Sequence, residues 1–564
     1  MPDNHTDVSI VLAGEAGQGV QTVERLLVRL AARAGLHVFA TKEVMSRIRG
    51  GVNSTELRVG TRPVRAFVDR IDVFIPLVNQ TMPHLQRRIG DETLILAETS
   101  RIDIHPGAVD VPLTAVAEEV GKALYSNSVA LGLIAGLLEI DAGLLGEVVG
   151  EHFSAKGGEI AEANREAARR GRELGRGLVE DGRFSKTVTP DGDKGERLLL
   201  NGTRAVALGA LAGGCNYCCA YPMSPSTGVL VELAARQDEL PLVVEQVEDE
   251  IAAVNMAAGA AATGARPLVT TSGGGLALMS EGLSVIGNME LPLVLHCAQR
   301  PGPATGLPTR SEQGDLNLAL HAGHGDFARV VLAPGNIEEA YRLTHHAFDL
   351  ALRYQIPVIL LTDQYLVDSF HDLGELPELE SLDDHIVKTK ADYRRYAYTE
   401  SGVSPRGVYG HGAGFVRSDS HTHDQDGHIS EDLHETRPRM VEKQLLKLEG
   451  LQAEALEPVL HGPRDYQTLL ITWGSTLEPA REALENTRRD DVALLHFPQL
   501  YPLPLAALEY LGSAERLICL EGNATGQFAD LLLRELGFAV DEKLLKYNGL
   551  AFTVEDVADL ISDL

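Results

Sequence analysis

Apolar and polar positions alternate along most of the chain in a way that predicts an α/β fold of several domains. Residues 9–13 form a short apolar run typical of a buried strand, and a Gly-rich turn at 14–20 leads from it into helical sequence. Helical sequence returns at 157–180. We therefore predict a first α/β domain at 1–182, followed by a linker at 183–196 that is rich in Gly, Asp, Lys and Thr.

The alternation of apolar strands with Ala-rich helices is strongest at 197–370, where it predicts a parallel, doubly wound sheet. The predicted strands of this domain cover residues 242–244, 267–271, 291–298 and 357–361. The pattern is lost at 371–462, which we predict to be an irregular arm or lid. It resumes at 463–564, where strands at 469–473, 492–496 and 517–521 predict a last α/β domain.

The chain has 564 residues and a formal net charge of −30. This charge argues against a nucleic-acid partner, because no basic face could offset repulsion by the phosphates. The most apolar run, 129–138, is closed by Glu139 and Asp141 and is too short to cross a bilayer. Residues 1–7 have neither the basic nor the apolar stretch of a signal peptide, so we expect a cytoplasmic protein that does not insert into a membrane.

Three of the five cysteines form a C-x-x-C-C cluster, Cys215, Cys218 and Cys219. Iron–sulfur and zinc sites usually need a fourth ligand of similar type nearby, so we expect reduced, buried thiols and no metal held by this chain. An exposed redox-active pair stays open as an alternative. Cys297 and Cys519 lie in apolar, strand-like runs typical of a core.

A second group of metal-ligand types lies in the His-rich part of the arm, residues 411–434. Its members are His421, His423, Asp424, Asp426 and His428. They could bind a divalent metal, but in a segment poor in branched apolar residues we favour a solvated loop.

The segment Tyr221-Pro222-Met223-Ser224-Pro225-Ser226-Thr227 interrupts the pattern of the second domain. Its two prolines have a fixed φ and no N–H, so the segment predicts an extended loop that presents Ser224. Ser226 and Thr227 are placed to cap a helix at 229–235. The loop could position a small polar substrate, or it could simply start a helix.

Three further motifs stand at predicted strand or helix ends. The acidic run 245–250 precedes the Ala-rich segment 251–259, and Thr271-Ser272-Gly273-Gly274-Gly275 ends a strand and starts a helix. Arg300 directly follows the strand at 291–298. In open α/β sheets ligands gather at the carboxyl ends of strands. The residues alone also allow simpler interpretations: acidic residues that favour a helix N-terminus, a tight turn, and a surface arginine.

These motifs, in this order, resemble the α subunit of the thiamine-dependent 2-oxoacid:ferredoxin oxidoreductases. The family loop reads Tyr-Pro-Ile-Thr-Pro-Ser-Thr/Ser, and this chain has Met223 and Ser224 at the two differing positions. The resemblance implies a thiamine-binding domain of the pyrimidine type at 197–370, a γ-type domain at 1–182 and a transketolase C-terminal-like domain at 463–564.

The resemblance also implies roles for individual residues. Glu250 is implied as the catalytic carboxylate that activates thiamine diphosphate, and Ser224 and Arg300 as ligands of the 2-oxoacid carboxylate. Arg310, in the segment 306–313, is implied to meet a second, distal carboxylate. The residues implied to lie against the cofactor are Glu250, Tyr221, Pro222, Ser272, Gly273 and Gly274.

The N-terminal Gly-rich turn resembles the opening of the family's γ domain, which reads G-x-G-G-Q-G. Ala16 replaces one of those glycines here, and the turn could bind an anion or simply let strand and helix pack closely. Arg47 and Arg49 stand beside Gly50 and Gly51, where two arginines could meet the phosphates of coenzyme A (CoA). They could just as well line a solvated surface or a domain contact, which is the interpretation we favour.

Two family motifs are not found in the sequence. It has no Gly-Asp-Gly followed by an asparagine for Mg²⁺ and the diphosphate, and no four-cysteine motif for an iron–sulfur cluster. The resemblance therefore implies a β subunit that supplies the diphosphate site, Mg²⁺ and a [4Fe–4S] cluster, in an (αβ)₂ assembly that reduces ferredoxin. We expect this chain to be inactive alone.

The activity implied most directly is CoA-dependent oxidative decarboxylation of 2-oxoglutarate to succinyl-CoA, because the γ-before-α order and residues 306–313 look most like the 2-oxoglutarate type. The reaction could also run in reverse, as CO₂ fixation. Pyruvate and other 2-oxoacids are alternative substrates. Alternatives of other classes are a non-catalytic nucleotide-binding module and a transketolase-like enzyme without redox chemistry.

Overall fold

The computed structural model describes residues 7–15, 18–46, 51–103, 107–186, 188 and 197–564. The chain divides into two compact units. The first consists of Met1–Asn201 with Asp368–Leu376 and Thr553–Glu555, and the second of Gly202–Val367 with Pro377–Phe552 and Asp556–Leu564.

The strands are β1 (Asp7–Glu15), β2 (His37–Glu43), β3 (Val52–Gly60), β4 (Val73–Pro76), β5 (Leu94–Ala97), β6 (Val109–Asp110), β7 (Leu198–Asn201), β8 (Tyr217–Ala220), β9 (Val243–Gln246), β10 (Pro267–Thr271), β11 (Leu293–Gln299), β12 (Val330–Leu332), β13 (Pro357–Asp363), β14 (Phe370–Leu373), β15 (Val459–His461), β16 (Thr468–Trp473), β17 (Val492–Phe497), β18 (Gln499–Tyr501), β19 (Arg516–Glu521) and β20 (Glu542–Leu545).

The α-helices are α1 (Val20–Arg33), α2 (Thr81–Leu85), α3 (Leu113–Val120), α4 (Ser126–Leu137), α5 (Ala142–Phe153), α6 (Gly158–Glu180), α7 (Gly202–Ala212), α8 (Thr227–Ala234), α9 (Glu250–Ala262), α10 (Gly273–Leu278), α11 (Ser280–Met289), α12 (Leu316–His321), α13 (Ile337–Tyr354), α14 (Gln364–Asp368), α15 (Thr436–Ala453), α16 (Leu477–Thr487), α17 (Ala507–Ser513), α18 (Gln527–Leu536) and α19 (Val554–Asp563). No helix within the described ranges has the length and apolar character needed to cross a bilayer.

The first unit contains an eight-stranded sheet with the order β6-β5-β4-β1-β3-β2-β14-β7. Its central strand β1 pairs antiparallel with β3 and parallel with β4. Beside the sheet, α4 and α6 pack backbone to backbone through glycines. A Cβ at Gly132 would lie 1.9 Å from the carbonyl oxygen of Ala168, and one at Gly171 would lie 2.0 Å from that of Val129. Larger side chains at these positions would force the two helices apart.

The second unit contains a seven-stranded sheet with the order β18-β12-β13-β11-β10-β8-β9. Every pair from β8 to β13 is parallel, and only the short β18 pairs antiparallel, with β12. All residues of β10, β11 and β13 are buried, which is typical of strands covered by helices on both faces. The predicted parallel, doubly wound domain is confirmed.

A five-stranded sheet with the order β15-β17-β16-β19-β20 belongs to the same unit. Strands β17, β16, β19 and β20 are parallel, and β15 is an antiparallel edge. Trp473, Phe497 and Phe528 form an aromatic contact in its core. The three strands predicted in this part of the chain are β16, β17 and β19, so an α/β domain with several layers is confirmed here as well.

The domain boundaries stay predictions. Strand β7, at the start of the predicted 197–370 domain, and β14, at its end, both pair in the eight-stranded sheet of the first unit. The body of that predicted domain, from α7 to β13, lies in the second unit.

Residues 377–435 form an irregular arm with no helix or strand longer than an isolated bridge. Two buried arginines attach the arm to the body of the second unit. Arg406 donates to the carbonyl oxygen of Ala261 at 2.9 Å, and Arg395 donates to that of Glu290 at 2.6 Å. Helix α15 follows, in a stretch where no regular element was predicted.

Candidate active site

A turn of three glycines, Gly273–Gly275, opens α10 directly after β10 ends. The turn therefore lies at the carboxyl end of a central parallel strand, where ligands bind in open α/β sheets. Ser272, the residue before it, is fully buried, and its hydroxyl has no hydrogen-bond partner among the described residues. Buried polar atoms are normally paired, so an orphaned one at a strand end indicates a ligand site.

Glu250 lies against the same turn. A Cβ at Gly275 would lie 2.7 Å from Cγ and 2.8 Å from Oε1 of Glu250, so only glycine leaves room for this carboxylate. Glu250 is 3% exposed, and its Oε1 has no hydrogen-bond partner within the described structure. A buried carboxylate with a vacant acceptor can hold a proton shared with a donor on a bound ligand.

The sequence of the acidic run explains how Glu250 reaches this position. The side chain of Asp249 caps α9 by accepting from the backbone N–H of Ala252 at 2.7 Å. The cap starts the helix at Glu250 and turns that residue inward, whereas Glu248 is exposed. Asp249 thus favours the helix start, as its position in the acidic run indicated.

A second acidic residue, Asp315, touches the turn at its other end. A Cβ at Gly273 would lie 2.3 Å from Oδ1 and 2.4 Å from Oδ2 of Asp315. Its Oδ2 is buried without a hydrogen-bond partner in the part of the chain that the structure describes. Burial and, to a smaller extent, the charge of Glu312 raise the pKa of Asp315 to about 6, although the charge of Arg300 opposes both effects. The sequence analysis missed Asp315, because no local pattern marks it.

Arg300 is the cation of this group. It follows β11 directly, and its Nη1 donates to the backbone carbonyl oxygen of Ser224 at 2.6 Å. Burial lowers the pKa of Arg300, while the charges of Asp315 and Glu250 raise it, so the guanidinium lies within electrostatic reach of both carboxylates. The structure thus brings together the predicted Ser224, Arg300, Glu250, Ser272, Gly273 and Gly274.

The loop at 221–227 has a different internal structure from the predicted one. The hydroxyl of Ser226 donates back to the carbonyl oxygen of Met223 at 2.8 Å, and no side chain caps α8, which begins at Thr227. The predicted capping role of Ser226 is therefore wrong, because its hydroxyl is used to close the loop on itself. Tyr221 and Ser224 are exposed and Pro222 is half-buried at the start of this loop.

Arg310 lies in a separate loop that is fixed by the end of the chain. A Cβ at Gly549 would lie 3.3 Å from the Cβ of Arg310, and the N–H of Ser311 donates to the Gly549 carbonyl oxygen at 3.1 Å. The N–H of Gln313 donates to the Gly522 carbonyl oxygen at 2.6 Å. The loop around Arg310 is therefore held by turns that follow β19 and β20.

The predicted CoA residues Arg47 and Arg49 lie outside the described residues, as does Ala16 of the Gly-rich turn. Near that turn, the Asn127 side-chain amide donates to the carbonyl oxygen of Gln18 at 2.7 Å. Gln18 and Asn127 line a cavity of about 580 Å³ in the first unit, together with Arg101.

The cysteines and the His-rich arm do not gather into one metal site among the described residues. All five cysteines are free and buried, and burial raises the pKa of Cys215 and of Cys219 to about 12, which keeps them as thiols. In the arm, the possible ligand atoms of Asp424, Asp426 and His428 lie within 4.8 Å of one another. The expectation of a wholly solvated loop is wrong for His423, which is fully buried and stacks on Tyr396.

Known proteins are similar in sequence to this chain over nearly its whole length. Residues 208–443 match the family described as "Pyruvate flavodoxin/ferredoxin oxidoreductase, thiamine diP-bdg", and residues 9–174 match "Pyruvate ferredoxin/flavodoxin oxidoreductase". The 2-oxoacid:ferredoxin oxidoreductase subunit alpha of Sulfolobus sp is 30% identical over 98% of this chain and 96% of its own length. The 2-oxoglutarate oxidoreductase subunit KorA of Mycobacterium tuberculosis is 27% identical over 98% of this chain and 91% of its own length.

A solved structure has the same fold. It is the 2-oxoglutarate:ferredoxin oxidoreductase from Magnetococcus marinus with 2-oxoglutarate, coenzyme A and succinyl-CoA bound. It superposes with a TM-score of 0.92 at 28% identity and covers 99% of both chains.

The parallel sheet, the glycine turn and the family match define a thiamine diphosphate-binding chain of an oxidoreductase. The chain belongs to the family of 2-oxoacid:ferredoxin oxidoreductase α subunits. The residues present fit thiamine diphosphate, because Glu250 offers a buried acceptor, unpaired among the residues that the structure describes, beside a turn without side chains.

Proposed function

We propose that this chain is the α subunit of a 2-oxoglutarate:ferredoxin oxidoreductase. The enzyme converts 2-oxoglutarate, CoA and two oxidised ferredoxins into succinyl-CoA, CO₂, a proton and two reduced ferredoxins. The observation that carries the proposal is the orphaned carboxylate oxygen of Glu250, held against Gly275 within electrostatic reach of Arg300.

Glu250 is the catalytic residue of this site. Thiamine diphosphate, when bound, supplies the nucleophilic carbon that adds to the ketone. Glu250 holds the proton that a nitrogen of the aminopyrimidine ring needs for that activation. Ser272 offers a second polar atom, and a Cβ at Gly274 would meet nothing within 4 Å, which leaves open space beside the turn.

Arg300 and Ser224 bind the carboxylate next to the ketone of the substrate. A guanidinium is always charged and offers two parallel donors, which suits a planar carboxylate. The hydrogen bond from Arg300 to the Ser224 carbonyl keeps the guanidinium beside the exposed Ser224 side chain.

Arg310 binds the distal carboxylate, which distinguishes 2-oxoglutarate from pyruvate. Its loop is anchored by the backbone bonds of Ser311 and Gln313, so the arginine is presented from a rigid segment. The 2-oxoglutarate bound in the Magnetococcus marinus enzyme and the KorA relatives support this choice of substrate.

The partner is a β subunit that supplies Mg²⁺, the diphosphate site and a [4Fe–4S] cluster, in an (αβ)₂ assembly that reduces ferredoxin. Helix α9 supports an interface next to Glu250, because it is apolar on both faces and exposes Ile251 and Met256. Strand β9, at the edge of the sheet, also exposes Val243.

CoA is bound by the first unit. Its candidate ligands there are Arg47, Arg49 and the residues that line the cavity at Gln18.

The test is an assay of the chain co-purified with its β subunit. CoA-dependent reduction of ferredoxin should have a kcat/KM at least about tenfold higher with 2-oxoglutarate than with pyruvate, since a charged hydrogen bond contributes about 1.5–3 kcal/mol. Arg310→Gln should remove this preference and leave the kcat/KM for pyruvate unchanged. A wild-type complex that prefers pyruvate would contradict the proposal.

A further inference from the structure

Three buried oxygens that have no hydrogen-bond partner among the described residues surround the glycine turn, and the proposed function uses only two of them. They belong to Glu250, Ser272 and Asp315. Asp315 sits at the far end of the turn from Glu250, since it abuts Gly273 and Glu250 abuts Gly275.

Asp315 is held in place by its backbone and not by its carboxylate. Its N–H donates to Oε1 of Gln299 at 3.0 Å, and the amide of Gln299 donates to the Thr362 carbonyl oxygen at 3.1 Å. On the other side, Gln527 donates to the carbonyl oxygen of Gly314 at 2.8 Å. The carboxylate is therefore fixed in position while its Oδ2 has no hydrogen-bond partner within the described ranges of the chain.

The charges around Asp315 are unbalanced. The charge of Arg300 lowers the pKa of Asp315 and the charge of Glu312 raises it, and the buried thiol of Cys297 also lies within electrostatic range. Arg300 is also within reach of Glu250. With both carboxylates ionised, a substrate carboxylate arriving at Arg300 would be a third anion beside one cation. Coulomb repulsion in a site of low dielectric then opposes binding.

We propose that Asp315 is a substrate-binding residue that takes up one proton when a 2-oxoacid binds at Arg300. The proton comes from solvent and settles on Oδ2, where it removes one negative charge and turns an unpaired acceptor into a hydrogen-bond donor toward the substrate. Substrate binding is thereby coupled to proton uptake. This inference rests on the proposed 2-oxoacid site.

The raised pKa of Asp315, about 6 because of burial, sets the pH range of the coupling. Below pH 6 the free site already carries the proton, so binding takes up little. Above pH 6 the free site is ionised, and each pH unit weakens binding by up to tenfold, as linkage of one proton requires.

The experiment is isothermal titration of the co-purified complex with N-oxalylglycine, a 2-oxoglutarate analogue in which an amide carbonyl replaces the ketone. Titrations at pH 7.5 in two buffers of different ionisation enthalpy give the number of protons taken up per site. We expect roughly one proton at pH 7.5 and almost none at pH 5. Asp315→Asn should reduce the uptake at pH 7.5 to near zero while binding persists, and Glu312→Gln should keep the wild-type uptake.

Binding without proton uptake at pH 7.5, or uptake that persists in Asp315→Asn, overturns the role of Asp315 and leaves the proposed function intact. If Asp315→Asn does not fold, the wild-type comparison of pH 7.5 with pH 5 decides, because equal uptake at both values overturns the inference. A complex that binds neither N-oxalylglycine nor 2-oxoglutarate overturns the proposed function, and the inference with it.

Discussion

At the scale of single residues, the site is defined by polar atoms that the chain itself leaves unpaired. Glu250, Ser272 and Asp315 each keep one buried oxygen without a partner among the described residues. Arg300, in contrast, already donates to Ser224. Unpaired buried acceptors cost stability in the free chain, so their concentration around one turn indicates atoms reserved for a ligand.

The proposed contact of Arg300 with the substrate carboxylate can be tested by substitution. Arg300→Gln should raise the KM for the 2-oxoacid by about tenfold or more with a smaller effect on kcat, because it removes a charged donor to the substrate carboxylate. Arg300→Lys keeps the charge and should recover only part of the loss, since it has no planar pair of donors. The measurement is steady-state kinetics of the co-purified complex, and an unchanged KM in Arg300→Gln would rule out this role.

Local sequence placed Glu250, Arg300 and Ser272 at the end of a strand or the start of a helix, and the family resemblance assigned them to the site. Asp315 could not be predicted, because its environment depends on Gly273, which is distant in the chain. Ser226 stands at the N-cap position of α8 but does not cap the helix with its side chain, because its hydroxyl donates to the carbonyl oxygen of Met223.

At the scale of elements, the junction of β10 and α10 depends on glycines that serve different purposes. A Cβ at Gly275 would lie 2.0 Å from Oγ1 of Thr271 and would also overlap Glu250. A Cβ at Gly274 would meet nothing within 4 Å. Gly275 is thus needed for packing within the chain, and Gly274 leaves space for a ligand.

The two glycines allow a matched pair of variants. Gly275→Ala should destabilise the chain by about 1–3 kcal/mol, because overpacking of a filled core costs this much. Gly274→Ala should leave the denaturation midpoint within experimental error and should lower the thiamine diphosphate content of the complex. Urea denaturation and cofactor analysis of both variants check this. If Gly274→Ala were less stable than Gly275→Ala, the turn would be packed differently from the arrangement described here.

Helices α11 and α15 are joined by a buried charge cluster. Burial raises the pKa of Glu290, but the charges of Lys447, Lys443 and Arg395 outweigh it and hold that pKa well below its usual range. Lys443 lies 2.5 Å and Lys447 2.7 Å from the two carboxylate oxygens. The lysines also explain why α15 was not predicted. They occupy its buried face, so the sequence lacks the regular spacing of apolar residues by which an amphipathic helix is predicted.

Glu290→Gln should destabilise the chain by about 3–5 kcal/mol at pH 7, because it leaves two buried lysines without their counter-ion. A depressed carboxylate pKa stabilises the fold above the unfolded value of about 4.3, and this stabilisation is lost as the pH falls below it. The difference between wild type and variant should therefore shrink below pH 4. Glu281→Gln, at an exposed position of α11, should change stability by less than about 0.5 kcal/mol. Equal stabilities for Glu290→Gln and wild type would contradict the assignment.

At the scale of the whole molecule, the candidate site lies in the second unit. The second unit presents Glu250 and Arg300 beside an apolar helix that remains partly exposed. The α/β layers and the parallel sheet could be predicted because apolar periodicity is a local property. The irregular arm was predicted only as a loss of pattern, since Arg395 and Arg406 attach it through contacts with residues far away in the chain.

The role of Glu250 is tested most directly by the exchange of the thiamine C2 proton for deuterium in the assembled complex, measured by NMR after an acid quench. Glu250→Gln should slow this exchange by about 100-fold or more, because general acid–base assistance contributes 10²–10⁴-fold. Glu248→Gln, two residues away and exposed, should exchange at the wild-type rate. A Glu250→Gln complex that holds a full complement of cofactor and exchanges as fast as wild type would contradict the assignment of Glu250.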